Sequence, residues 1–247
     1  MDQRTEANSG RSSALQRFLE AQWHFLTFRS SPVAEADHNP FLTCAMGITW
    51  IAGIGRYWDH PDPLWWQSAG LGSVVYSFVF AAMLWIVGLP MRIRGWSYAG
   101  MLLFVCMTSA PALLYAIPVE RFLAPSAAAD VNFWFLFVVA LWRLLLLMRF
   151  FALPCELGGG GVVVTLLPVS LIVIGLVAFG LHQQTFAIMA HADAERAPHA
   201  GATDAVQSMV WASAIAAVPL LVAYFVMAWD RQIGGDSNAA RGEGTVQ

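Results

Sequence analysis

The sequence predicts an all-α protein: a polytopic transmembrane helical bundle of six spans, preceded by an amphipathic helix in the membrane interface. Two observations predict this class. Hydrophobic residues make up 58% of the 247 residues and charged residues only 12%, whereas soluble domains carry about 25% charged residues. The apolar residues also come in long runs, the clearest of 23 residues at 131–153, and a helix needs about 20 apolar residues to cross a hydrocarbon core.

Residues 1–40 are predicted to form a cytoplasmic tail that contains one helix, at residues 13–29. Aromatic and aliphatic side chains recur there at helical spacing, while polar residues occupy the positions between them; the apolar positions are Leu15, Phe18, Leu19, Trp23 and Leu26. This pattern favours a helix lying in the cytoplasmic interface of a membrane. A helix that packs on the protein's own loops is the alternative.

Residues 41–58 form the least certain span. The continuous apolar stretch ends at Ile54 and is about 21 Å long as a helix, which is short for a crossing. Ala45, Thr49 and Gly53 lie four residues apart and make a ridge of small side chains on which another helix can pack closely. Five spans plus one interfacial segment is therefore the alternative to six.

The remaining predicted spans are residues 71–89, 97–117, 131–153, 162–181 and 209–229, and together with 41–58 they form a transmembrane domain over residues 41–229. Residues 131–153 are the clearest, because their only full charges are Arg143 and Arg149. Pro111, after Thr108 and Ser109, interrupts the span at 97–117. Four glycines at 158–161 predict a tight return. Residues 230–247 are predicted to be a disordered cytoplasmic tail.

The distribution of arginine predicts the orientation. With six spans and both termini in the cytoplasm, ten arginines lie inside and three outside; the three are Arg56, Arg121 and Arg196. With five spans the count becomes six inside and seven outside, and the positive-inside bias is lost. All 13 basic residues are arginine, which indicates GC-rich codons and favours the inner membrane of a bacterium.

Arg143 is the sharpest candidate for a functional residue. It lies about 15 Å from the inner end of its span, near mid-membrane, where a charge costs a few kcal/mol. No predicted span contains a carboxylate, and Pro111 leaves the carbonyl of Met107 without its helical donor. The hypothesis is that Arg143 donates to the broken helix near Met107, Thr108 and Ser109. The alternatives are a snorkelling arginine that thins the bilayer locally and an arginine that binds a substrate or a lipid phosphate.

Histidines and carboxylates also gather in two loops predicted to face outside; they are Asp59, His60, Asp62, His191, Asp193 and His199. Such side chains can bind a metal ion, but solvated loop residues are the favoured interpretation, so no metal site and no cofactor is predicted. No catalytic motif is present. Cys44, Cys106 and Cys155 lie far apart and predict no disulfide.

Three segments carry a resemblance to known proteins: NPFLTCAMGITWIAGIGRYWDHPDP, TSAPALLYAIP and WFLFVVALWRLLLLMRF. In them the chain resembles uncharacterised bacterial multi-span membrane proteins, and over residues 15–230 its architecture is similar to the Yip1-like class. That class has a cytosolic N-terminal segment followed by about five closely spaced spans, so the extra first segment departs from it. The resemblance implies a role in organising membranes or binding partners, without chemistry.

The sequence favours an integral membrane protein without enzymatic activity, which organises or assembles partners in the membrane. The expected partners are the lipid bilayer and a second copy of the chain or another membrane protein; no basic cluster indicates nucleic acid. A small-solute transporter or channel subunit built around Arg143 and the proline-broken helices is the alternative. A membrane enzyme that uses the outer His/Asp loops is the third interpretation.

Overall fold

The computed structural model describes residues 3–29, 38–58, 64–179 and 200–242. Every regular element in these residues is helical and none is a strand, so the predicted all-α class is confirmed. The α-helices are α1 (Gln3–Leu26), α2 (His38–Gly55), α3 (Trp65–Ser68), α4 (Leu71–Gly88), α5 (Tyr98–Met107), α6 (Pro125–Ala152), α7 (Gly160–Ala178) and α8 (Ala200–Gly242). Short 3₁₀ helices follow at Leu89–Met91, Ala110–Ala116 and Val119–Arg121.

Three helical segments among the described residues are long and apolar enough to cross a membrane: Leu71–Met91, Asp130–Ala152 and Val210–Ile233. A fourth is formed if Tyr98–Met107 and Ala110–Ala116, which meet at a bend of 41°, make one broken span. The apolar helices Pro40–Gly55 and Gly160–Gly175 are shorter. The coarse prediction of several helices that are long and apolar enough to cross a membrane is therefore confirmed.

Several helices are longer than the predicted segments. α1 begins at Gln3 rather than at residue 13, and α8 extends beyond residues 209–229 at both ends, into the tail that was predicted to be disordered. α6 begins at Pro125 rather than at residue 131. Proline is well suited to the first turn of a helix, because its fixed φ is helical and its missing N–H needs no partner there.

The described chain divides into two compact units. The first comprises Met1–Met83 and Ser97–Phe122, and the second Leu84–Trp96 and Leu123–Gln247. α5 is the core of the first unit, because every residue from Gly100 to Met107 is buried. α2 packs beside it in the same direction: Thr49 of α2 contacts Cys106, and Trp58, after α2, donates to the carbonyl of Ala116 (3.0 Å).

The small-residue ridge of α2 is used inside this unit. Ala45 and Thr49 are buried, and Thr49 bonds to α5. A Cβ on Gly53 would lie 2.7 Å from the carbonyl oxygen of Gly70, so glycine is required for this approach. Gly70 itself has a φ of +68°, a conformation that favours glycine.

The second unit consists of α6, α7, α8 and the end of α4. α6 and α7 form a hairpin, and Gly161 permits it, because a Cβ there would lie 2.7 Å from the amide nitrogen of Ala152. α8 packs on α7, and Tyr224 of α8 donates to the carbonyl of Val87 (2.7 Å). Only 6% of the Val210–Ile233 window is buried, against 28% for each of the other two, so most of this helix faces outward.

Candidate functional site at the break in α5

The third predicted span is broken where the sequence places Pro111. α5 ends at Met107, and the 3₁₀ helix Ala110–Ala116 continues with Pro111 in its first turn. Proline has no N–H, so the carbonyl of Met107 cannot receive its usual bond from the residue four positions later. A buried carbonyl without a donor costs about 1–3 kcal/mol, so the break requires donors from elsewhere.

Four buried side chains, Gln22, Thr49, Thr108 and Ser109, surround this break, and we call them the polar cluster. Gln22 of α1 donates through Nε2 to the carbonyl of Met107 (2.6 Å). Thr108 and Ser109 donate to the carbonyl of Val105 (2.7 and 3.3 Å). Thr49 donates to Ala45 within its own helix (2.9 Å) and contacts the carbonyl of Cys106 (3.4 Å). Side-chain donors from three segments thus bond the last carbonyls of α5.

One acceptor in the cluster has no partner among the described residues. Gln22 is 6% exposed, and its Oε1 is buried without a hydrogen bond. Because the carbonyl of Met107 can only accept a hydrogen bond, the side-chain amide of Gln22 must point its NH₂ group towards it. Oε1 of Gln22 therefore points away from Met107. The four side chains of the cluster hold no titratable group, so the cluster offers hydrogen bonds and no acid–base chemistry.

α1 reaches the break through one of its two apolar stripes. Phe18 and Phe25 are buried on the same face as Gln22, and they make edge-to-face contacts with Phe41 of α2 (5.6 Å between ring centroids) and Phe104 of α5 (5.5 Å). α1 therefore packs on the chain's own helices α2 and α5, whereas the alternative drawn from the sequence was packing on the chain's loops. An interfacial position for α1 stays a prediction.

Arg143 lies on α6, in the second unit, and is half-buried. The carbonyl of Met107 accepts a hydrogen bond from Gln22 within the first unit. The proposed bond from Arg143 to the region of Met107, Thr108 and Ser109 stays a prediction.

The outer-loop candidates Asp59, His60, Asp62, His191, Asp193 and His199 lie outside the described residues. Within the described ranges, no group of three or more His, Cys, Asp or Glu side chains is placed to hold a metal ion. Two arginines predicted on the outer side stack on aromatic rings in the first unit. Arg121 lies over Trp58 (4.9 Å to the ring centroid) and Arg56 over Tyr115 (5.4 Å).

A second polar site, which the sequence did not predict, surrounds Arg231 on α8. Its Nη1 donates to the carbonyl of Met91 (3.3 Å) and its Nη2 to the carbonyl of Glu156 (3.0 Å). Arg92 donates in return to the carbonyl of Gln232 (3.4 Å). We call these five residues the Arg231 junction. It joins the end of α4, the turn after α6 and α8, all within the second unit.

Cys155 lies in the same turn, next to Glu156. Burial raises the pKa of its thiol to about 12, although the positive charge of Arg231 opposes this shift. The thiol therefore stays protonated at neutral pH, and a protonated thiol is a poor nucleophile and metal ligand.

No protein-family model, curated protein or solved structure matches the chain.

Proposed function

We propose that the chain is an inner-membrane protein with six crossings and both termini in the cytoplasm, and that it assembles protein partners rather than catalysing a reaction. The Arg231 junction supports the direction of three crossings. The segments Leu71–Met91, Asp130–Ala152 and Val210–Ile233 all end within a few residues of Arg231 or of its two acceptors. Three spans that end at one point run in the same direction through a membrane.

The same geometry supports the three return crossings. Between two spans of equal direction the chain must cross back once, and the apolar segments available are the bent pair Tyr98–Ala116 and helix α7. α2 runs beside the bent pair in the same direction, from Thr49 at Cys106 to Trp58 at Ala116. If the bent pair crosses, α2 is placed to cross with it.

Charge supports the orientation. Arg92, Arg94, Arg149 and Arg231 all lie at or near the ends that meet at the junction, and the positive-inside rule assigns such ends to the cytoplasm. Trp211 and Trp229 are exposed on α8 and lie 18 residues apart. That spacing is about 27 Å along a helix, close to the distance between the two aromatic belts of a bilayer.

The observation that carries the assembly role is the second apolar stripe of α1. Leu15, Leu19 and Trp23 are 50%, 51% and 62% exposed, and they form a stripe next to the buried residues Phe18, Gln22 and Phe25. The flanking charges are Arg17 and Glu20, one of each sign. A helix that binds an anionic membrane surface carries mainly Lys and Arg on its polar face, so this stripe fits the amphipathic helix of a partner protein better.

The chemistry of both sites agrees with assembly. The donors of the polar cluster and of the Arg231 junction bond to backbone carbonyls, and the thiol of Cys155 is kept protonated. This is the role that the Yip1-like resemblance implies, and that kinship stays a proposal.

Co-purification from gently solubilised membranes tests the proposal. We expect the unaltered chain to co-purify with a stoichiometric partner, and the L19S/W23S variant to lose that partner. The matched control E20A, which changes an exposed residue of the same helix, is expected to keep it. Retention in L19S/W23S would contradict the assembly role. A second measurement uses a bimane probe at position 19, with the chain alone in nanodiscs that contain brominated lipids. Strong quenching of the probe would also contradict the assembly role, because the stripe would then lie on the bilayer.

A transporter or channel subunit is the second candidate, and the polar cluster is the observation that favours it. Buried Oε1 of Gln22 is an unused acceptor beside a broken span, and broken helices in transporters hold solutes near mid-membrane. Flux of a solute into vesicles that contain the purified chain, abolished by Gln22→Leu or Arg143→Ala, would favour this candidate. Equal flux in those variants would reject it.

A further inference from the structure

The guanidinium of Arg231 has donors that the junction does not use. An arginine carries five N–H groups, and two of those on Arg231 donate to the carbonyls of Met91 and Glu156. Arg231 makes these two hydrogen bonds among the described residues, and both acceptors are uncharged backbone carbonyls. Three N–H groups in the planar fork therefore remain for another acceptor, and the positive charge of Arg231 has no counter-ion within the described part of the chain.

The carboxylates beside the junction do not neutralise it. Glu156 offers Arg231 its backbone carbonyl, and its side chain is exposed. Asp230 precedes Arg231 on the helix and is also exposed. Neither carboxylate forms an ion pair with Arg231 in the described residues. Arg92 and Arg94 add two exposed positive charges on the segment that follows Met91.

The position of the junction indicates which anion would be found there. Met91 is the last residue of one candidate span, and Ile233, two residues after Arg231, ends another. With the proposed topology the guanidinium lies at the level where a bilayer changes from acyl chains to head groups. Three large apolar side chains are exposed on α8 in the two turns before Arg231: Phe225, Val226 and Trp229. They offer an apolar surface on which the acyl chains of a bound lipid can lie.

We propose that Arg231, assisted by Arg92, binds the phosphate of an anionic glycerophospholipid at the cytoplasmic end of α4 and α8. The phosphodiester oxygens accept the unused N–H groups of Arg231 in charge-assisted hydrogen bonds. The acyl chains lie along the outward face of α8. Basic sites between spans on the cytoplasmic side are known to bind phospholipid head groups. The inference rests on the proposed topology, because the junction must lie at the membrane boundary.

Native mass spectrometry of the full-length, delipidated protein tests the inference. The protein is titrated with phosphatidylglycerol and with phosphatidylethanolamine of the same acyl chains. We expect one tightly bound phosphatidylglycerol per chain, and about tenfold weaker binding of it by Arg231→Gln, which corresponds to about 1.4 kcal/mol. Arg231→Lys keeps the charge but loses the fork, so its binding is expected to be intermediate.

Arg121→Gln is the matched control, because it removes the same charge from an arginine that stacks on Trp58. We expect it to bind the lipid like the unaltered chain. An equal loss of binding in Arg121→Gln and Arg231→Gln would overturn the inference, because general charge attraction would then explain the binding. Displacement of the lipid by millimolar inorganic phosphate would overturn it too, since the site would then prefer a free anion.

Arg231 also bonds to two carbonyls, so Arg231→Gln is checked for folding by its thermal unfolding in detergent. If that variant does not fold, Arg92→Gln and Arg231→Lys carry the test, and unchanged binding in both would contradict the inference. The proposed topology is tested separately by labelling of single cysteines. If the labelling pattern is as predicted but no lipid binds, this inference alone is rejected. The opposite labelling pattern would reject the topology itself.

Discussion

Replacing Gln22 by leucine removes the donor to the carbonyl of Met107, and the structure gives the size of the effect. The bond is short, at 2.6 Å, and both partners are buried. The carbonyl left unpaired costs about 1–3 kcal/mol. Part of this cost is offset, because leucine also removes Oε1, which is buried without a partner in the described residues. We expect Gln22→Leu to lower the free energy of unfolding by about 1–2 kcal/mol.

A double-mutant cycle with Pro111→Ala isolates the cause. Alanine at position 111 supplies the N–H that proline lacks, so the carbonyl of Met107 can be bonded within the helix and Gln22 becomes dispensable. We expect Gln22→Leu to cost about 1 kcal/mol less in the Pro111→Ala background, which exceeds the usual additivity error of about 0.3–0.5 kcal/mol.

Reversible unfolding in mixed detergent micelles, followed by far-ultraviolet circular dichroism, measures all four proteins. Gln16→Leu, on the exposed face of the same helix, is the matched control and is expected to change stability by less than about 0.5 kcal/mol. The reasoning is refuted if Gln22→Leu costs the same in both backgrounds, because the freed carbonyl would then not be what Gln22 stabilises.

Two further predictions concern other parts of the fold. Gly53→Ala is expected to destabilise the chain by about 1–3 kcal/mol, because the new Cβ would lie 2.7 Å from the backbone oxygen of Gly70. Gly47→Ala is the control, since a Cβ there would meet nothing within 4 Å. Equal melting temperatures for the two variants would contradict this packing. The thiol of Cys155, whose pKa is raised from 9.0 to about 12, is expected to stay unlabelled by maleimide between pH 7 and 9, and rapid labelling of the native protein at pH 7 would contradict its burial. The stability that the neutral thiol contributes is complete below pH 9.0 and is lost as the pH rises towards about 12, because the unfolded thiol ionises first.

The spans that could be predicted from the sequence are those whose evidence is local. α4, α6 and the central part of α8 are long, continuous apolar runs, and such runs predict candidate membrane spans without knowledge of their neighbours. The break in α5 was equally predictable, because Pro111 removes a hydrogen bond wherever it lies in a helix. The sequence also predicts that the carbonyl of Met107 lacks its usual helical donor.

The identity of that donor was not predictable. Gln22 is 85 positions away from Met107, and nothing in a single sequence indicates which polar residue folds onto a broken span. A local signal did exist: Gln22 lies between Phe18 and Phe25 on one helical face, and an amide in the middle of an apolar stripe needs a partner. The apolar residues of α1 were read as one face, whereas they form two adjacent stripes, one buried and one exposed.

Arg231 was predicted only as one of the arginines that set the orientation. Its hydrogen bonds depend on the meeting of three chain segments, which is a tertiary property. The extension of α8 beyond residue 229 has the same origin, because Arg231 and Gln232 are held by Met91, Glu156 and Arg92. Composition alone indicated a polar tail at this point.

The parallel direction that we propose for the three candidate spans at the Arg231 junction is tested most directly by labelling single cysteines in the full-length chain, after Cys44, Cys106 and Cys155 have been replaced. The account predicts that cysteines at positions 94, 158 and 242 react only with reagent supplied from the cytoplasm, and those at 63, 123 and 199 only with reagent supplied from outside. Labelling of positions 94 and 158 from opposite sides of the membrane would contradict it.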